Sequence, residues 1–299
     1  MAVAGHPFRF GVVAALARTG EEWVAKARRI ESLGYSTLGV PDGVRYTLAP
    51  LPALATAAAA TRTLRVGTYV IANDFRNPVL LAKEAATLDL LSGGRFELGM
   101  GAGRPAAAED NRMMGIGFDP GGVRVDRLAE SLTLLKALLA GQRATATGPC
   151  YAAEAAEISP LPARRPPILV AGSGRRLLSL AAREADIVAL GLPPNEPATG
   201  AAERIGWLRE AAGPRFDELE LNLNLMAVGD QVPRHLSARM GLTAADLAAS
   251  GSVAAVMGST EDMCTTLERR REDLGISYLM VGDELMEAFA PVVERLAGR

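Results

Sequence analysis

Short apolar runs and stretches of helical period alternate from one end of the chain to the other. Phe8–Val13 reads as a strand and leads to a helix near Thr19–Leu33, with Thr19 as N-cap, Glu21 and Glu22 in the first turn, and Gly34 past the end. Trp23, Ala27 and Ile30 share one face of that helix. Ser36–Val40 is the second strand, Leu51–Ala60 a helix, and Leu64–Ile71 the third strand. Asn77–Pro78 opens a helix running to Leu91, with proline at its first position and Gly93 beyond its end. Phe96–Met100 is the fourth strand, and a long loop covers 102–122. Val125, Leu128, Leu132, Leu135 and Leu139 then form the core-facing stripe of a long helix. Residues 141–167 read as an irregular surface excursion. Strands Ile168–Ala171, Ile187–Leu190, Leu219–Val228 and Ile276–Val281 complete the set, and each is followed by a helix. In the third of these, Leu219, Leu221, Leu223 and Leu225 face one way and Glu220, Asn222, Asn224 and Met226 the other. An insertion of short helices spans 231–257.

About eight strand–helix units in succession favour a closed parallel sheet, a (β/α)8 TIM barrel with an insertion before the last β/α unit. The chain of 299 residues has no low-complexity linker and reads as one domain over 1–299. With 32 basic and 34 acidic residues the net charge is −2, so no basic excess is present to bind a phosphate backbone, and nucleic acid is not an expected partner. Cys150 and Cys264 lack ligand or disulfide spacing and are expected to be buried small hydrophobes. Only His6 and His235 are present, so no metal site is expected. No signal-peptide pattern and no run of about 18 apolar residues is found. The expected setting is cytoplasmic, away from membranes, with a small-molecule substrate.

In such a barrel the chemistry sits beyond the C-terminal ends of the strands. That rule selects the loops at 41–46, 72–76, 99–104 and 171–176. In the last, Gly172, Ser173 and Gly174 precede a helix, with Arg175 and Arg176 at its start; free N–H groups and the helix dipole there suit a phosphate. A plain strand-to-helix turn would also use those glycines. The dinucleotide fingerprint is absent, because Gly172 and Gly174 are followed by Leu177 instead of a third glycine, and the segment lies far from the first βαβ unit.

Taken together, the segments from Arg76-Asn-Pro through Leu91-Ser-Gly-Gly-Arg95 to Gly99-Met-Gly-Ala-Gly103 resemble the luciferase-like flavin and deazaflavin oxidoreductases. Supporting matches are Gly34–Asp42, Arg65–Thr68 and Gly275–Val281. The resemblance implies a β/α barrel, often a homodimer, that moves hydride or activates oxygen with coenzyme F420 or FMN, and it is closer to the F420-dependent branch. It further implies a non-proline cis peptide at Tyr69–Val70, in a bulge ending strand three and backing the deazaflavin ring. Gly101, Gly103 and Arg104 then lie at the cofactor's side, and Asn73 lines the site. FMN-binding relatives use an arginine where this chain has Ala102, and Arg104 follows two residues later. Many relatives carry Asp-His after strand two; here the pair is Asp42–Gly43, which puts alcohol oxidation through that histidine in doubt. A reductase of C=C or C=N bonds drawing its proton from Asp42, Tyr46 or water is compatible with the residues present. Asp42 as a loop cap and Tyr46 as an exposed loop residue are the plainer alternatives. A flavin monooxygenase and a catalytically inactive cofactor-binding barrel are the other two readings.

Overall fold

The computed structural model describes residues 6–299. Strand β1 (Arg9–Val13) is followed by helix α1 (Gly20–Ser32), and β2 (Thr37–Val40) by α2 (Pro50–Ala60). The third strand is split into β3 (Arg65–Thr68) and β4 (Ile71–Ala72), and the Tyr69–Val70 peptide between them is cis, as the resemblance implied. Helix α3 (Pro78–Leu91), β5 (Phe96–Gly101), a short α4 (Ala108–Met113) and the long α5 (Gly121–Leu139) come next. Strands β6 (Ala144–Thr147) and β7 (Ala152–Ala156) form a hairpin. After it run β8 (Ile168–Gly172), α6 (Arg175–Glu184), β9 (Ile187–Leu190), α7 (Ala198–Ala212) and β10 (Glu220–Leu225). The inserted segment holds β11 (Ala227–Val228), α8 (Arg234–Met240), α9 (Ala244–Ala249) and β12 (Ala255–Val256). Helix α10 (Thr260–Leu274), β13 (Ile276–Gly282) and α11 (Met286–Leu296) close the chain.

The main sheet runs β3-β2-β1-β13-β10-β9-β8-β5-β4, and a further β3–β5 pairing closes it. Counting β3 and β4 as one strand, this is a closed eight-stranded parallel barrel surrounded by helices. The chain also divides into two compact units, one of residues 6–14, 28–38 and 172–299, the other of 15–27 and 39–171.

Local chemistry explains most of these elements. Thr19 Oγ1 accepts from the Glu22 N–H at 3.1 Å and caps α1, whose Trp23, Ala27 and Ile30 are all buried. Asn77 Oδ1 accepts from the Val79 N–H at 2.9 Å, with Pro78 at the first helical position of α3. Past the end of α3, Gly93 and Gly94 take φ of 67° and 79°. Arg95 follows them and donates to the carbonyls of Leu64 (2.5 Å), Ser92 (2.7 Å) and Ala58 (2.8 Å). The Leu91–Arg95 motif is thus a clamp that ties α2, the start of β3 and the end of α3 together.

Three expectations change. The 141–167 segment contains the β6–β7 hairpin, which its alanine-rich strands (ATAT and AAEAA) conceal: β7 has no β-branched residue, and neither strand has an aromatic one or a large apolar side chain. The 102–122 loop contains α4, too short to show a period. At the start of α5 the buried residue is Arg124, while Val125 is only half-buried; Leu128, Leu132, Leu135 and Leu139 are buried as the stripe requires. Among the described residues no helix is long and apolar enough to cross a membrane.

Candidate active site

The loops after β2, β4 and β5 all belong to the 39–171 unit, and ion pairs lock them together. Asp42, with its side chain 4% exposed, accepts from Arg76 Nη1 at 2.5 Å and from the Ala72 N–H at 3.2 Å. This carboxylate joins the loop after β2 to the loop after β4. Its lone pairs are engaged by a guanidinium, a setting that suits an anchor better than a proton donor. Arg45 reaches the other way, to Asp110 at 2.9 Å and Glu109 at 2.8 Å on α4. Tyr46 is 58% exposed, with the Arg45 guanidinium 5.0 Å from its ring centroid. A side chain on Gly43 would emerge toward Asp110 Oδ2 and the Thr47 hydroxyl, so the position of the family histidine faces the polar end of α4.

Val70 stands over β5. A Cβ on Gly99 would lie 3.0 Å from Val70 Cγ1 and one on Gly101 3.0 Å from Val70 Cγ2. Gly101, expected to leave room for a cofactor, therefore leaves room for Val70. Burial holds the Tyr69 phenol well above its ordinary pKa, so it stays protonated through the neutral range. Gly103 takes φ of 79° and is gripped by Arg124, which donates to the Ala102 carbonyl at 2.6 Å, to the Gly103 carbonyl, and to the Asp119 carbonyl at 2.9 Å. Arg104 is exposed, and its guanidinium pairs with no carboxylate among the described residues.

Asn73 is the residue here with unmet polar capacity. It is 2% exposed, its Nδ2 donates to the Tyr151 hydroxyl at 3.1 Å, and its Oδ1 has no partner. A buried amide oxygen without a donor is unusual and marks a place for a ligand N–H or a water. Tyr151 is held in turn by Glu130, whose Oε2 accepts from the Cys150 and Tyr151 N–H groups at 3.1 Å each. Gly148 lets that carboxylate approach, since a Cβ there would meet Oε2 at 2.3 Å. Beside Asn73 a cleft of about 370 Å³ is lined by Asp74, Arg76, Arg127, Cys150 and Tyr151 among others. Arg127 ion-pairs with Asp74 at 2.7 Å and with Asp119, and these two carboxylates raise its pKa further. Cys150, expected to be buried, is half-exposed on this cleft; Cys264 is buried. Among the described residues no group of three or more His, Cys, Asp or Glu could hold a metal.

Arg124, Arg127, Glu130 and Tyr151 escaped the sequence reading. A signal existed: Arg124, Arg127 and Glu130 recur every three residues on α5, a polar stripe beside the apolar one. Arg124→Lys is expected to release the 102–119 loop, because an ammonium cannot donate to three carbonyls in the planar fork that guanidinium offers. Limited proteolysis should cut that loop at least several-fold faster in the variant; an unchanged digestion pattern would refute the anchoring role.

In the other unit, Gly172 and Gly174 prove to do different things. A Cβ on Gly172 would lie 2.2 Å from Leu177 Cδ2, so this glycine lets the first turn of α6 pack onto its own strand. Gly174 is the uncapped N-cap of α6 at φ −78°, and a Cβ there would meet nothing within 4 Å. Ser173 is half-buried between them. The N–H groups of the first turn of α6 have no side-chain cap, which leaves them for an anion. Arg175 is exposed and pairs with Glu210 at 2.8 Å, a surface contact weak enough to exchange for a ligand. On β10, Asn222 is fully buried and Asn224 half-buried, with Asn224 Oδ1 unpartnered.

A closed parallel sheet surrounded by helices, with its third strand split after Thr68, defines a β/α barrel. The chain belongs to the luciferase-like monooxygenase family, whose model matches residues 7–240. An F420-dependent glucose-6-phosphate dehydrogenase of Beutenbergia cavernae is 34% identical over 164 residues, covering 52% of this chain and 48% of that protein. The chain thus aligns with about half the length of that relative. The F420-dependent tetrahydromethanopterin reductase of Methanopyrus kandleri has the same fold, with a TM-score of 0.76 at 16% identity, covering 97% of this chain and 99% of that one. An F420-dependent secondary alcohol dehydrogenase, solved with an F420–acetone adduct, gives a TM-score of 0.79 at 18% identity, covering 96% and 99%.

Proposed function

We propose that this chain is an F420-dependent oxidoreductase that reduces a C=C or C=N bond of a small organic substrate. The observation that carries the reading is Asn73: a buried amide directly after the split strand, with a carbonyl oxygen lacking any donor. That oxygen suits an N–H on the polar edge of a fused heterocycle. In the other unit, the open N-terminus of α6 at Gly174 suits a phosphate group by its own chemistry. The relatives named above that bind F420 support the same cofactor.

When bound, reduced F420 supplies the hydride. The chain's own part is positioning. The Asp42–Arg76 pair fixes two loops relative to each other, Arg124 fixes a third, and Tyr151 orients Asn73. With Asp42 engaged by Arg76, and Tyr46 exposed beneath Arg45, this reading assigns the proton to water. The histidine-free position at Gly43 fits reduction better than alcohol oxidation, which needs a base to take the hydroxyl proton.

An FMN monooxygenase is the second reading, favoured by the unpaired guanidinium of Arg104, which could meet the FMN phosphate. Titrating the purified protein with F420 and with FMN separates them: F420 fluorescence is expected to change saturably, and tight FMN binding without any F420 response would overturn the proposal. Gly174→Val is expected to weaken binding of inorganic phosphate at α6 about tenfold while leaving the melting temperature within a degree or two of wild type, since its side chain enters open space. Unchanged affinity in that variant would remove the phosphate role from α6. Turnover of reduced F420 on imines and enones then distinguishes an enzyme from an inactive cofactor-binding barrel.

A further inference from the structure

A second cleft of about 370 Å³ lies wholly within the 198–274 stretch, where the ends of α9 and α10 meet the start of α7. Most of its lining comes from residues 248–274, beyond the segment that the family's model matches. Its charged side is set by two consecutive arginines on α10. Arg270 Nη2 donates to the Ala255 carbonyl at 2.7 Å and to the Ser252 carbonyl at 3.3 Å, which anchors the guanidinium. Its Nη1 is buried with no partner. Arg269 beside it is exposed, and neither arginine forms an ion pair among the described residues. Asp273 also reaches the cleft but pairs with neither.

Two adjacent cations, one desolvated and short of an acceptor, are an unfavourable arrangement by themselves. Burial, and after it the charge of Arg269, push the pKa of Arg270 down to about 10. An anion would relieve both effects at once.

We propose that this cleft binds the phosphate group of a small organic phosphate, with Arg270 Nη1 and Arg269 as its donors. The hydroxyl of Thr266, also at the cleft, is a third polar group available to the phosphate oxygens. Val253, Met257 and Leu274 give the cleft an apolar side for the organic part. The volume supports a molecule larger than free phosphate, because small-ligand sites start at roughly 300 Å³. This site is separate from the α6 N-terminus and does not depend on the cofactor reading above.

The test is a titration of the isotope-labelled full chain with inorganic phosphate and with phenyl phosphate, followed at backbone amides by NMR. Saturable shifts are expected at Gly251, Ser252 and Thr266, with phenyl phosphate binding more tightly than inorganic phosphate. Arg269→Ala, which removes an exposed and unpaired side chain, should weaken both about tenfold. Arg270→Lys should weaken them as well while keeping the positive charge. Phosphate binding at α6 would register at the Gly174 and Arg175 amides instead, so the two sites are read separately. No saturable shift at Gly251, Ser252 and Thr266, or the same affinity in Arg269→Ala, would overturn the proposal.

Discussion

Gly99→Ala is expected to destabilise the protein by roughly 3 kcal/mol or more, the upper end for overpacking a core. The added Cβ would lie 2.0 Å from the carbonyl oxygen of Thr68, a backbone atom that no rotamer change can move. The same contact is reinforced from the side: Thr68 Oγ1 donates to the Gly99 carbonyl and accepts from the Gly99 N–H, both at 2.8 Å. Strand β5 is thus drawn against the end of β3, and only glycine lets the two backbones come so near. Gly101→Ala is the internal control. Its Cβ meets the end of a side chain, Val70 Cγ2, at 3.0 Å, so trimming with Val70→Ala should rescue it. The same trimming should leave Gly99→Ala almost as damaged as before. Urea denaturation of the four variants reads this directly, and a Gly99→Ala protein within 0.5 kcal/mol of wild type would refute the packing account.

Asp42→Ala is expected to cost about 3 kcal/mol, because it strands a largely buried guanidinium and an N–H that have no other acceptor at hand. Asp42→Asn should cost less, since the amide oxygen can still accept from the Ala72 N–H. If the loss is that of an anchoring ion pair, Arg76→Met should largely mask it: the double variant should be clearly more stable than the two single losses added together. Strict additivity would show that the carboxylate stabilises something other than Arg76. A proton donor would behave differently, losing turnover with the melting temperature unchanged.

Gly172 illustrates what a sequence reading of glycine cannot supply. In the sequence Gly172 and Gly174 are equivalent members of a GSG turn, and both suggest backbone approach to phosphate. In the structure Gly172 accommodates Leu177 while Gly174 faces open space, so a substitution at Gly172 damages packing and one at Gly174 probes binding. Asp42 shows the same limit. Its loop position made it a candidate acid, whereas its role depends on Arg76, 34 residues away, and no local pattern joins the two.

The strand–helix alternation, the caps at Thr19 and Asn77 and the glycine-marked helix ends were legible in the chain because each is a local matter of period and backbone geometry. From them follow the closed barrel and, with the Arg76–Gly103 motif, the family. Tertiary structure alone decided which polar side chains are already committed. Arg95 and Arg124 are spent on carbonyls and Asp42 on a guanidinium, while Asn73 Oδ1 and Arg270 Nη1 are left without partners. Those assignments depend on distances between residues far apart in sequence, and a buried polar group acquires its function from whichever neighbour the fold brings, or fails to bring, within about 3 Å.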